Sequence, residues 1–237
     1  MKKQLTSAIK DPAPLQSELI SLLEYYQNGR YEDAEKLALI LTNKFRTHPF
    51  GWKVLGAVLN KTGRISEGLI ACQKSVALAP ENAEAHYNLG VTLKELGRLE
   101  EAEKSYRQAI TLKLDYFEAH TNLGHTLRGL DRLEEAVASY REAIALKPDF
   151  ALTHYNLGVT LKELGRLEEA EESYREAIVL KPDFAIALMN RGQLLFDKGE
   201  FEIALRDFDL CNTRYSRVYA LESLYALGRI EDIYKRI

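Results

Sequence analysis

The chain has 237 residues, 46% hydrophobic and 28% charged, with a formal net charge of −3. That composition belongs to folded, globular protein, and the small net charge gives no long-range pull toward nucleic acid or an anionic membrane surface. Apolar runs such as residues 37–42 are too short to span a bilayer, and the basic N-terminus lacks the apolar stretch of a secretory signal, which makes the cytoplasm the default location.

A Gly-Arg-hydrophobic turn sets the organisation of the chain. It stands at Gly29, Gly63, Gly97, Asp131 (in place of Gly), Gly165 and Gly199, each 34 residues after the last, and comes early at Gly228, after 29. Taken in order, this predicts an extension at 1–14, then units at 15–48, 49–82, 83–116, 117–150 and 151–184. A shortened unit at 185–213 and a partial one at 214–237 complete the chain. Within 83–116, Leu89, Leu93 and Leu96 recur at helical spacing before Gly97. Leu99, Ala102, Tyr106, Ala109 and Ile110 do so after it. Each unit is therefore a helix–turn–helix, with glycine releasing the first helix in a left-handed conformation. Pro148 is expected to stop the second helix of its unit and Asp149 to cap the next. One such pair cannot bury its apolar face alone, and stacking on neighbours supplies the core. Units 83–116 and 151–184 agree at 27 of 34 positions, and residues 87–103 repeat without change at 155–171.

Counting Ala83 as position 1, position 8 is Gly56, Gly90, Gly124, Gly158 and Gly192, and position 20 is Ala34, Gly68, Ala102, Ala136, Ala170 and Ala204. Position 24 is Tyr106, Tyr140, Tyr174 and Phe208, and position 32 is Pro80, Pro148 and Pro182. This pattern resembles the tetratricopeptide repeat. Units 83–184 look most like the superhelical repeats of the O-linked N-acetylglucosamine transferase family. The resemblance implies an all-α, right-handed superhelical solenoid of stacked antiparallel helix pairs. The chain departs from the pattern at Leu22 (Gly expected) and Arg46 (Pro expected), which suits an N-terminal cap. Leu114 in place of Pro predicts a more continuous helix end at that junction. The end in the partial unit reads as part of a longer protein, or as a face covered by a partner, with residues 228–237 dimeric or frayed.

Little in the sequence points to chemistry. His86, His120 and His154 share position 4, but adjacent helix layers lie roughly 10 Å apart, against Zn–N bonds of about 2.0–2.1 Å. They are read as packing residues, with no metal site. Cys72 and Cys211 occupy packing positions, too far apart for a disulfide. The pairs Glu100-Glu101, Glu134-Glu135 and Glu168-Glu169 complement the dipoles of second helices. No phosphate loop, nucleophile elbow or paired cysteine motif is present, so no catalytic residue and no cofactor is implied.

Position 6 carries Asn88, Asn122, Asn156 and Asn190 in four consecutive units. A carboxamide both donates and accepts, which suits the backbone of an extended peptide. At about 3.3 Å per residue, such a peptide meets a repeat step of roughly 10 Å every third residue. The glycosyltransferase resemblance implies the same role, because an asparagine ladder holds the protein substrate in that family. Tyr87, Tyr155, Lys94, Arg128 and Lys162 lie beside these positions as further lining. A chaperone-type carboxylate clamp would match Lys53 and Asn88, but Ala57, Glu118 and Asn122 stand where it needs Asn, Lys and Arg. The expected function is a non-catalytic scaffold binding an extended peptide segment of a protein partner on a concave face. Alternatives are the substrate-recruiting arm of a larger modifying enzyme (a glycosyltransferase or a 2-oxoglutarate oxygenase) and a homo-oligomer assembled through the C-terminal end. Neither nucleic acid nor membrane is an expected partner.

Overall fold

The computed structural model describes residues 13–211 and 213–236. The predicted extension at 1–14 lies outside them except for its last two residues. Fourteen α-helices and no strands occur among the described residues. One unit, up to Leu114, holds α1 (Gln16–Gln27), α2 (Tyr31–Lys44), α3 (Pro49–Lys61), α4 (Ile65–Leu78), α5 (Ala83–Glu95) and α6 (Leu99–Leu112). The other, from Asp115, holds α7 (Phe117–Gly129), α8 (Leu133–Leu146), α9 (Ala151–Glu163), α10 (Leu167–Leu180), α11 (Ala185–Asp197), α12 (Phe201–Cys211), α13 (Arg214–Ala226) and α14 (Ile230–Tyr234). Within each unit the helices pair in sequence, and the second helix of one pair packs on the first helix of the next.

The turn inside each pair is made by backbone hydrogen bonds that satisfy the last carbonyls of the first helix. Gly97 has φ 73°; its N–H donates to Lys94 O at 2.9 Å, and the Arg98 N–H donates to Leu93 O at 2.9 Å. This is the Schellman pattern, which requires a left-handed residue. Asp131 takes the same role at φ 59°, the single non-glycine with positive φ among the described residues. Aspartate tolerates this region better than most side-chain-bearing residues.

In four of the pairs the core is built on a glycine facing a ring. A Cβ on Gly90, Gly124, Gly158 or Gly192 would approach the ring of Tyr106, Tyr140, Tyr174 or Phe208 to within 2.7–2.8 Å. Glycine inside a helix costs about 1 kcal/mol relative to alanine; burying an aromatic ring outweighs that at about 1.5–3 kcal/mol. The first pair inverts the arrangement, with Leu22 at the glycine position and Ala38 at the ring position, both fully buried in one cluster.

Two expectations are corrected. Asp149 does not cap α9; the N-cap is Phe150, and no side chain caps that helix. The ring of Phe150 packs edge-on against Phe117 at 5.5 Å, and burial of an aromatic outweighs a cap of about 1 kcal/mol. A cap bond does form on α5, where Asn82 accepts from the Ala85 N–H at 3.0 Å. Leu114 does not make a more continuous helix end. α6 stops at Leu112 with Lys113 as C-cap, just as α8 stops at Leu146 with Lys147. The break survives without proline, and Leu114 is exposed. Beyond Gly228, α14 is tied back to α12 by Arg236, whose Nη1 and Nη2 lie 2.5 and 2.9 Å from the Asp209 carboxylate.

Candidate binding faces on the first helices

The asparagines at position 6 lie at the same register of α5, α7, α9 and α11, between helix faces that are buried and faces that meet solvent. Asn88, Asn122 and Asn190 are half-buried, and Asn156 is 9% exposed. Three of their backbone carbonyls are engaged by the side chain one turn on: Thr92, Thr126 and Thr160 donate to the carbonyls of Asn88, Asn122 and Asn156 at 2.7, 2.8 and 2.9 Å. Hydroxyls bonded back in this way leave the side-chain amides as the polar groups of that register.

In the unit from Asp115 two of the residues expected to line the site, Tyr155 and Asn190, are hydrogen-bonded to each other. Asn190 Nδ2 donates to the Tyr155 hydroxyl at 3.2 Å, which leaves the phenolic hydrogen free to donate. The Tyr155 ring packs 5.3 Å from Phe184 and 6.0 Å from Tyr174. Burial pushes the Tyr155 phenol above its usual value. Arg128 Nε lies 3.3 Å from Glu163 Oε2. Below this surface the hydroxyls of Tyr140 and Tyr174 are buried with no hydrogen-bond partner, and burial raises both phenols well above the normal range. In the unit up to Leu114, Tyr87 packs 5.9 Å from Tyr106 and Lys94 Nζ lies 3.7 Å from Glu95. Lys53, which the clamp would need, is paired with Glu84.

The other sequence candidates have structural partners. His86 and His154 reach the carbonyls of Pro80 and Pro148 through Nε2 at 2.8 and 2.7 Å, holding the loop between pairs. No group of three His, Cys, Asp or Glu among the described residues could hold a metal. Cys72 and Cys211 are free and buried, and burial raises the Cys72 thiol. The acidic pairs are divided in use: Arg98, Arg132 and Arg166 each grip the second glutamate, Glu101, Glu135 and Glu169, at 2.6–2.7 Å. These bonds hold Glu101 and Glu169 below the usual carboxylate range.

The sequence reading missed the ion pair inside α11–α12. Arg191 Nε and Nη2 bind Asp207 Oδ2 and Oδ1 at 2.7 and 2.6 Å, and Asp207 is 1% exposed. The signal was available, since leucine and serine stand at these two positions in the preceding pair, as Leu157 and Ser173.

No described helix is long and apolar enough to cross a membrane. A family model described as "Tetratricopeptide repeat" matches residues 83–116 and 151–184, and one described as "TPR repeat" matches 126–165. No curated protein matches the chain. Among solved structures, that of PilF from Pseudomonas aeruginosa superposes with TM-score 0.70 at 19% identity, covering 79% of this chain and 88% of that one. MamA superposes with TM-score 0.62 at 26% identity over 74% and 97%. YrrB, described as "a TPR protein with an unusual peptide-binding site", does so with TM-score 0.64 at 19% identity over 78% and 96%. The likenesses to PilF and YrrB are likenesses of fold.

Proposed function

We propose that this chain of tetratricopeptide repeats is a non-catalytic scaffold whose first helices receive an extended segment of a partner protein. The carrying observation is the row Asn122, Asn156 and Asn190, presented at one register of α7, α9 and α11, with Tyr155 and Asn190 already hydrogen-bonded beside it. Amides at a spacing of roughly 10 Å suit a strand-like backbone, which offers a donor and an acceptor on that scale. Asn88, with Tyr87 and Lys94, offers the same chemistry on α5. The resemblance of 83–184 to the glycosyltransferase repeats supports the same use, as does the peptide-binding site named for YrrB.

The test is the variant Asn122→Ala with Asn156→Ala, measured by fluorescence polarisation against peptides selected from a random display library on the parent. Loss of two amide contacts should weaken binding by about tenfold or more, ~1.4 kcal/mol, with the melting curve close to the parent's. Unchanged affinity for every selected peptide would remove the asparagines from the reading. A second reading, self-association, is favoured by the exposed Ile230 and Tyr234 on α14. Light scattering over a concentration series tests it, and a strict monomer at high concentration excludes it.

A further inference from the structure

The two copies of the repeated seventeen residues leave different charges open. In the first, Lys94 keeps its neighbour Glu95 at 3.7 Å. In the second, Glu163 is taken by Arg128 of α7, and Lys162 is half-buried with no ion pair or hydrogen bond from its side chain to another described residue. The cause is one position in the preceding first helix. α7 supplies Arg128 there, whereas α3 supplies Asn60, whose amide is spent on Thr92 Oγ1 at 2.6 Å. A cation withdrawn from water and left without a counterion favours an arriving anion.

From α9 onward the same face turns apolar. The register of Arg128 and Lys162 is occupied by Phe196 on α11 and Tyr225 on α13. On α13, Tyr215, Val218 and Tyr225 fall at helical spacing on one face and are 75%, 53% and 72% exposed. The acid among them, Glu222, is exposed as well and would repel a second carboxylate. Charge therefore gives the face a direction, with the anion at α9 and apolar groups at α13.

We propose that the segment bound on this face carries an acidic side chain against Lys162 and an aromatic or branched apolar side chain against α13. Two helix steps of roughly 10 Å, at about 3.3 Å per extended residue, put these side chains about six residues apart. This rests on the extended-segment reading above and adds the chemistry of the partner.

The probe is a synthetic peptide array in which one Glu and one Phe are moved independently through a Ser/Ala background. The strongest signals are expected where the two stand about six residues apart. Lys162→Glu should weaken the Glu-bearing peptides by about tenfold, while Lys74→Glu, the same charge change on α4, should leave them within about twofold. Arg128→Asn frees Glu163 to pair with Lys162 and should weaken the same peptides. Melting curves verify that each variant is folded. If peptides bind and are lost on Asn122→Ala with Asn156→Ala, yet Glu placement and Lys162→Glu have no effect, the acid–apolar assignment is overturned and the groove reading stands. If no peptide binds the parent, or binding ignores the asparagines, the groove reading falls and this inference with it.

Discussion

Replacing Gly124 by leucine and Tyr140 by alanine tests the glycine-on-ring contact that builds four of the pairs. A Cβ on Gly124 would stand 2.8 Å from two carbons of the Tyr140 ring and 2.9 Å from a third, where ordinary contact begins near 3.4 Å. Both helices are held by neighbours, and the ring is fully buried, so it has no empty space to move into. Gly124→Leu alone should therefore destabilise by about 3 kcal/mol, the upper end of overpacking, because steric conflict exceeds the helix-propensity gain of about 1 kcal/mol. Tyr140→Ala alone removes the ring and should cost about 3–5 kcal/mol. The double variant reproduces the Leu22 and Ala38 arrangement of the first pair and nearly conserves volume. It should recover about 2–3 kcal/mol of the summed losses, the upper range for residues in contact. Chemical unfolding followed by circular dichroism measures all four proteins, with midpoints converted to free energy through the unfolding slope. Additivity within about 0.5 kcal/mol would refute the claim that the two positions share one volume.

Tyr140→Phe should leave stability unchanged or raise it by up to about 1 kcal/mol, because the hydroxyl is buried without a partner and Phe208 already fills the equivalent place; a clear loss on unfolding would reveal a bond to that hydroxyl. Burial raises the phenols of Tyr106, Tyr140 and Tyr174 from 10.0. The protonated phenol is thus favoured in the folded state, so their contribution is complete below pH 10 and is lost as pH climbs above it. The triple Phe variant should accordingly unfold at higher pH than the parent in an alkaline titration followed by circular dichroism, and an unmoved midpoint would contradict it. Asp207→Ala strands the Arg191 guanidinium and should cost about 3–5 kcal/mol on chemical unfolding, whereas Arg191→Leu with Asp207→Ser, the residues of the preceding pair, should restore most of the loss. Glu67, Glu101 and Glu169 are depressed below 4.5 by their arginines. Their support is present above pH 4.5 and is lost as pH falls through the depressed values, with a salt-sensitive decline expected in an acid titration.

The turns and the helix pairs were legible because each rests on a local requirement. A left-handed residue must follow the first helix, and the 34-residue spacing of Gly29 through Gly199, with Asp131 among them, marks where. What escaped depends on competition between distant groups. Asp149 is a good cap in isolation, but Phe150 takes the position because its ring packs on Phe117. Leu114 lacks the ring of proline, yet α6 ends in the same register as α8, so proline is not what stops these helices. Leu22 read as a departure suited to a cap, while its counterpart Ala38 turns it into a size exchange across one contact. Arg191 and Asp207 are sixteen residues apart; each departs from the residue one repeat earlier, Leu157 and Ser173, and the pairing of α11 with α12 joins the two departures. Of the candidate site, the register of the asparagines was readable; which lining charges are already neutralised was not.

The repeated stretch makes that last distinction concrete. Across the seventeen identical residues the turn and the threonine bonded to the asparagine carbonyl are the same in both copies. Those features are set inside the stretch and therefore copy with it. The charge at its surface is set outside it: Arg128 in one case and Asn60 in the other decide whether the glutamate stays beside its own lysine. Tyr155 accepts from Asn190 of the following pair, a contact set by what comes after the copy. In a stack of repeats, the fold of a unit is encoded within it, and its binding character is encoded largely in its neighbours. Duplicating a unit thus preserves stability while presenting a new surface, and substitutions at Arg128 should alter recognition at Lys162 without touching the repeated residues at all.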